Sequence, residues 1–271
     1  MTRRMLTLVL TLSIAILAVC LERTVAAGRQ LSVGPVTYKE GGQELNGYLA
    51  YDAALLDKRP GILIVHEWWG LNDYPKSRAQ QLAGLGYVAF AADIYGSGAV
   101  ATNQEAAAKL AAPFRADREL MRRRVTAALA VLKADPRVDP KRVAAIGYCF
   151  GGTCVLELAR DGADLAGVVS FHGGLDTPHP DSTPKPKAAI LVCHGANDAY
   201  VTPESVESFW REMKQCGADW QLNVYAEAVH SFTNPNSGSD PSKGMAYNAA
   251  ADKRSWADML QFFGRVLAEA K

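Results

Sequence analysis

Apolar residues gather along this chain in short unbroken runs, separated by stretches whose hydrophobic positions recur every three or four residues. The runs are Gly61-Ile62-Leu63-Ile64-Val65, Tyr87-Val88-Ala89-Phe90-Ala91-Ala92, the run opening at Val143, Gly167-Val168-Val169-Ser170-Phe171, and residues 189–193 and 222–225. A run that is apolar at every position suits a strand covered on both faces, and so predicts the inner strands of a parallel sheet. Residues 75–85, 106–132, 203–216 and 247–270 read as helices between and after them. In the second, Phe114, Met121, Val125, Leu129 and Leu132 share one face, with Arg122-Arg123-Arg124 mostly off it as solvated surface. Trp256, Met259, Leu260, Phe263 and Leu267 do the same in the last. Residues 33–38 and 45–51, joined through Glu40-Gly41-Gly42-Gln43, read as an antiparallel hairpin at the edge of the sheet. The expected fold is therefore α/β, a mostly parallel central sheet with helices on both faces, in one domain over residues 28–271. The proline-rich segment 176–187 is a loop within it, not a linker.

One junction carries chemistry. The run from Val143 ends at Gly147-Tyr148-Cys149-Phe150-Gly151-Gly152, and a helix-compatible stretch begins after Phe150. This is the spacing of a nucleophile elbow, Gly-x-Ser-x-Gly, with cysteine in the serine position. A side chain held up from so sharp a strand-to-helix turn needs a strained backbone, and neighbours two residues away must be small. The N-terminus of the following helix favours the thiolate over the thiol.

In an open parallel sheet the ligand crevice lies beyond the carboxyl ends of the strands, so residues just after each apolar run are those that can meet there. Asp198 follows the run 189–193 and His230 follows 222–225. The order Cys149, Asp198, His230 is that of the α/β-hydrolases: nucleophile, acid, histidine. His230 would take the thiol proton and Asp198 would fix its tautomer, with Asp176 as the rival acid. His66, His172 and His194 also stand at strand ends, where a structural hydrogen bond is the commoner role, although His172 could line the pocket. The backbone N–H groups of Phe150 and Trp68 are the candidate oxyanion donors. Glu67, ending a buried strand, could accept the Cys149 proton, and Trp68, Trp69, Tyr95 and Tyr148 would wall the pocket.

Composition narrows the class. A net charge of +1 with 21% charged residues gives no basic surface for nucleic acid. Arg3-Arg4, an apolar run over residues 5–21 and Val25-Ala26-Ala27 read as a removable secretory signal over residues 1–27, with weaker twin-arginine and lipoprotein variants. The run is too short and too interrupted for a spanning helix, so no stable membrane association is expected after cleavage, and the location is periplasmic or secreted. The five cysteines lack metal-ligand spacing, so neither a metal nor a cofactor is expected.

The segments His66-Glu67-Trp68-Trp69-Gly70-Leu71-Asn72, Ala92-Asp93-Ile94-Tyr95-Gly96, the Cys149 elbow, His194-Gly195-Ala196-Asn197-Asp198 and His230-Ser231-Phe232 resemble motifs of the dienelactone hydrolase family, in its order. The resemblance spans nearly all of the chain after residue 28. It implies a Cys149, His230, Asp198 triad with Glu67 as the resting partner of the thiol, and Ser231 and Phe232 in the substrate pocket. The family's carboxylate-holding arginines are missing, because their segments here read Thr233-Asn234 and Gly96-Ser97-Gly98. A neutral amide does not replace a bidentate guanidinium, so dienelactone itself is in question unless Lys76 or Arg78 takes that part. The expectation is a monomeric hydrolase that opens small esters or lactones through an acyl-cysteine intermediate. The alternatives are a thioesterase or polyester-type esterase, or a catalytically silent binding protein on the same scaffold. The polar segment 234–244 is expected to form a mobile rim that shapes specificity.

Overall fold

The computed structural model describes residues 29–268, and the expected secretory signal therefore lies outside the described residues. Eight strands among them form one sheet: β1 (Leu31–Glu40), β2 (Gln43–Asp52), β3 (Arg59–Val65), β4 (Val88–Ala92), β5 (Val138–Tyr148), β6 (Gly167–Phe171), β7 (Ala189–Gly195) and β8 (Trp220–Tyr225). Their order across the sheet is β1-β2-β4-β3-β5-β6-β7-β8. β1 and β2 pair in antiparallel fashion over ten residues, β2 meets β4 antiparallel, and every pairing beyond is parallel. The runs in β3 to β7 are thus the inner strands, as their pattern required, whereas 222–225, interrupted by Asn223, falls in the edge strand β8 and is mostly not buried.

The helices are α1 (Asp73–Gly84), α2 (Gln104–Ala116), α3 (Arg118–Ala134), α4 (Phe150–Arg160), α5 (Pro203–Cys216) and α6 (Ala249–Val266). Strand alternation sends side chains to two cores. Leu63, Val65, Val143 and Ala145 pack with α2 to α5 on one face, and Ile62, Ile64, Ala144, Ile146 and Tyr148 pack with α1 and α6 on the other. Among the described residues no helix is long and apolar enough to cross a membrane.

Two expectations change here. The single helix expected over 106–132 is two, α2 and α3, broken at Asp117. Its backbone is extended (φ −123°, ψ 96°), its N–H closes α2 on Pro113 O, and its carboxylate caps α3 by accepting from Leu120 N–H. Apolar periodicity runs on across the break, so the pattern alone hides it; the cap residue marks it. The arginine triplet is not simply solvated surface. Arg124 is buried with Nε 2.9 Å from Glu40, and Arg122 reaches the buried Glu157 at 2.8 Å.

The segment 234–244 carries two short 3-10 turns, Pro235–Ser237 and Pro241–Lys243. It is tied back through the N–H groups of Ala246 to His230 O (3.2 Å) and Tyr247 to Gly238 O (2.8 Å).

Candidate active site

The elbow forms where β5 turns into α4. Cys149 sits at φ 52°, ψ −113°, a conformation that L side chains rarely adopt. Packing explains the flanking glycines: a Cβ on Gly147 would lie 1.9 Å from Gly151 O, and one on Gly151 would lie 2.3 Å from Val65 O. Bare backbone at both positions lets α4 start against the end of β3 and leaves the half-buried sulfur at the base of a cleft of about 440 Å³.

His230 and Asp198 meet that sulfur. His230 Nδ1 is 2.8 Å from Asp198 Oδ2, and the imidazole shares the cleft wall with Cys149, close enough for the two charges to interact. Asp198 is held by N–H donors from Tyr200 (2.9 Å) and Val201 (3.2 Å) to Oδ1. Burial disfavours the imidazolium, but the neighbouring Cys149 and Asp198, charges that favour it, outweigh it and raise the His230 pKa well above the ordinary histidine value. Asp176 stands at the rim instead, paired with Arg118 at 2.7 Å. Two other cysteines, Cys193 and Cys154, are free but poorly suited to attack: burial pushes the Cys193 thiol up to about 12 and raises that of Cys154 strongly.

Trp68 and Phe150, the two candidate oxyanion donors, both border the cleft beside Cys149. Tyr95 is one layer behind, its ring 5.4 Å from Phe150 and its hydroxyl donating to Trp68 O at 3.0 Å, so it braces the wall without forming it. Trp69 packs edge-on to Trp68 and lines an adjoining polar pocket with Asn72 and Asn234.

Three expected pocket residues are corrected. Tyr148 is fully buried on the opposite face of the sheet, stacked on Phe171 at 4.9 Å, because it shares the strand parity of Ala144 and Ile146. Phe232 is core, packed between His172 and Tyr225. Ser231 is buried and spends its hydroxyl on Glu67. The remaining wall comes from residues that sequence reasoning did not select, among them Arg115, Arg118, Met121, Thr153, Tyr200 and Met245.

Glu67 also departs from expectation. Its buried carboxylate accepts from Ser231 Oγ and from Asn234 Nδ2 at 2.5 Å, and makes no hydrogen bond to Cys149 among the described residues. Burial raises the Glu67 pKa against the opposing help of Ser231, Asn234, His230 and Arg78. A carboxyl that holds its proton more tightly when folded costs stability as it ionises. Wild-type stability should therefore fall as pH rises from the unfolded value, about 4.3, through the raised folded one. Glu67→Gln should flatten that part of a melting-temperature profile taken between pH 4 and 8, and an unchanged slope would show that Glu67 is not its source.

Lys76 and Arg78 do not reach the cleft lining. Arg78 is closed by Asp252 at 2.5 Å and Thr233 O at 2.8 Å and lies over the rings of Tyr74 and Trp256, and Lys76 sits 3.8 Å from Asp73. The cations at the cleft are Arg115, 6.0 Å over the Trp68 ring, and Arg118. Among the described residues no three His, Cys, Asp or Glu side chains are grouped to hold a metal ion.

The sequence model of the dienelactone hydrolase family matches residues 45–267. A crystal structure of a dienelactone hydrolase-like promiscuous phosphotriesterase from metagenomic libraries superposes with a TM-score of 0.82 at 38% identity, over 88% of this chain and all of its own. An uncharacterized protein of Caenorhabditis elegans is 38% identical over 149 residues, 54% of this chain and 93% of its own length. The protein usf of Aquifex pyrophilus is 29% identical over 86% of this chain and 98% of its own.

Proposed function

Because the chain belongs to the dienelactone hydrolase family, we propose that it hydrolyses small esters or lactones through an acyl-cysteine intermediate. The observation that carries this reading is that Cys149 and His230 line one cleft, with His230 hydrogen-bonded behind to the buried Asp198. The thiolate attacks the carbonyl carbon, and the oxyanion is received by the N–H groups of Phe150 and Trp68. His230 gives its proton to the departing alkoxide, then takes one from the water that attacks the thioester, releasing the acid and restoring the thiol pair. Asp198 holds the ring in the tautomer that both transfers need. A lactone follows the same course with its alkoxide still tethered.

The arginine positions of the family's carboxylate clamp are vacant of arginine here, which supports neutral esters as the better substrates. An ester whose acyl part carries a carboxylate would have Arg115 as its nearest cation, since Arg118 is already paired with Asp176. The phosphotriesterase named among the structural neighbours adds a second electrophile to test, because phosphorus in a neutral triester meets the same thiolate.

The test is acid quenching during p-nitrophenyl acetate turnover, followed by digestion and mass spectrometry. One acetyl group on the peptide containing Cys149 is the expected result. Turnover with no label, or label on another residue, overturns the acyl-cysteine step, and no turnover on esters, thioesters or a p-nitrophenyl phosphotriester favours the silent binder.

A further inference from the structure

His172 follows β6 directly and has no part in the mechanism above, yet it is buried between the two groups that must meet. Its φ of 41° is unusual for a residue with a side chain, which marks a conformation imposed by surrounding contacts. Its N–H donates to Cys193 O at 2.8 Å. Its ring then makes two bonds of opposite sense. Nδ1 accepts from the backbone N–H of Cys149 at 3.1 Å, so the ring proton is on Nε2, which donates to Thr233 Oγ1 at 2.7 Å.

Those two partners belong to different elements. Cys149 opens α4, and Thr233 lies three residues beyond His230 on the loop after β8. We propose that His172 is a positioning residue whose imidazole spans this gap and sets the nucleophile elbow against the histidine loop. The inference rests on the acyl-cysteine reading, since it concerns the meeting of Cys149 and His230.

The bond to Cys149 is not needed to satisfy that amide, because the same N–H also donates to Phe171 O at 3.0 Å. What the imidazole adds is the connection onward. Thr233 Oγ1 also accepts from Tyr74 OH at 2.7 Å, and Arg78, fixed by Asp252, holds both Tyr74 OH and Thr233 O. The far end of the span is therefore anchored on α1 and α6, while the ring itself packs edge-on to His230 at 5.3 Å and to Phe232 at 5.1 Å. A threonine tied this way leaves little freedom to the backbone that carries His230.

Protonation would destroy the span, because Nδ1–H would then face the Cys149 N–H. The groups facing the ring are Cys149, His230, Tyr148 at 6.1 Å, and Tyr74 and Arg78 through Thr233. Burial, and after it the positive charge of His230 and of Arg78, hold the His172 pKa well below the ordinary histidine value. The ring thus stays an acceptor while His230 carries the proton of the ion pair.

Two variants cut the span from opposite ends. His172→Phe keeps the ring and its packing but loses both nitrogens, and Thr233→Val puts a methyl in place of the hydroxyl, which also frees Tyr74 OH, and leaves the elbow untouched. Each is measured for kcat and KM on p-nitrophenyl acetate and for the pH profile of Cys149 alkylation by iodoacetamide, which needs no substrate. The expected result is a kcat about 10- to 100-fold lower with KM within about twofold, the scale of a small misplacement of reacting groups. The alkylation profile should move to higher pH as sulfur and imidazolium separate. A residue that only supports the fold would lower the melting temperature and leave that profile in place. Should His172→Phe fail to fold, Thr233→Val carries the test, and wild-type kcat with a wild-type profile in Thr233→Val overturns the proposal. His230→Ala separates the two readings: if it too leaves turnover and alkylation unchanged, the acyl-cysteine reading itself has failed.

Discussion

Cys149→Ala is expected to lower kcat/KM for p-nitrophenyl acetate by a factor on the order of 10⁴ or more, the scale seen when a nucleophile is removed from a triad acting as a unit. What survives should come from cleft binding and the oxyanion donors, which polarise the carbonyl without an attacking group. The fold should tolerate the change. Alanine keeps the Cβ at the same unusual φ of 52°, and the deleted sulfur is half-buried at the cleft, packed only against the edge of one core. A far-ultraviolet spectrum and melting temperature matching the wild type, alongside the lost rate, would assign the loss to chemistry. Equal rates for the two proteins would remove Cys149 from the mechanism altogether.

The largest effect on stability is expected away from the cleft, at Arg160. Its guanidinium is almost wholly buried and bonds Glu212 twice at 2.7 Å, Glu157 at 3.0 Å and Leu175 O at 2.7 Å. Glu157 is also held by Arg122, and Glu212 accepts from Thr183 at 2.7 Å. Arg160→Met keeps much of the volume but leaves the buried Glu212 without a cation, holding only Thr183, and Glu157 with Arg122 alone, a loss of about 3–5 kcal/mol for breaking such a pair from one side. At roughly 2–4 °C per kcal/mol in a domain of this size, the melting temperature should fall by about 6–20 °C. Arg265→Met makes the comparison, because the Arg265–Asp219 pair, at 2.6 Å, is exposed at both ends and should matter by less than about 1 kcal/mol. Similar small shifts for both would show that the buried network is not a major source of stability.

The central strands were legible because burial on both faces demands apolar residues at every position, and few other structures do. The tight strand-to-helix turn was legible for a steric reason: two glycines flanking Cys149 at fixed spacing suit few other backbones, and a Cβ at Gly147 or Gly151 would clash with neighbouring backbone. The site walls were not. Tyr148 precedes Cys149 on β5, but adjacency along a strand means opposite faces, and Phe232 lies in the turn after His230; both point into the core under α1 and α6. Arg115 and Arg118 reach the cleft from a helix pair whose break at Asp117 an apolar stripe does not register. For Glu67, chain position gave the location at the strand end, but its partners Ser231 and Asn234 lie more than 160 residues away, and only the folded loop brings them to it.

The shared cap at Asp117 has a consequence for how such a protein diversifies. Arg115 and Arg118 sit on either side of that one exposed residue, so part of the face that an incoming molecule meets is spelled by a few neighbouring codons at the surface. Drift there can alter what is admitted without disturbing the sulfur, the ring or the sheet beneath them. On the reading proposed above, selectivity and reactivity would then be inherited on separate pieces of chain.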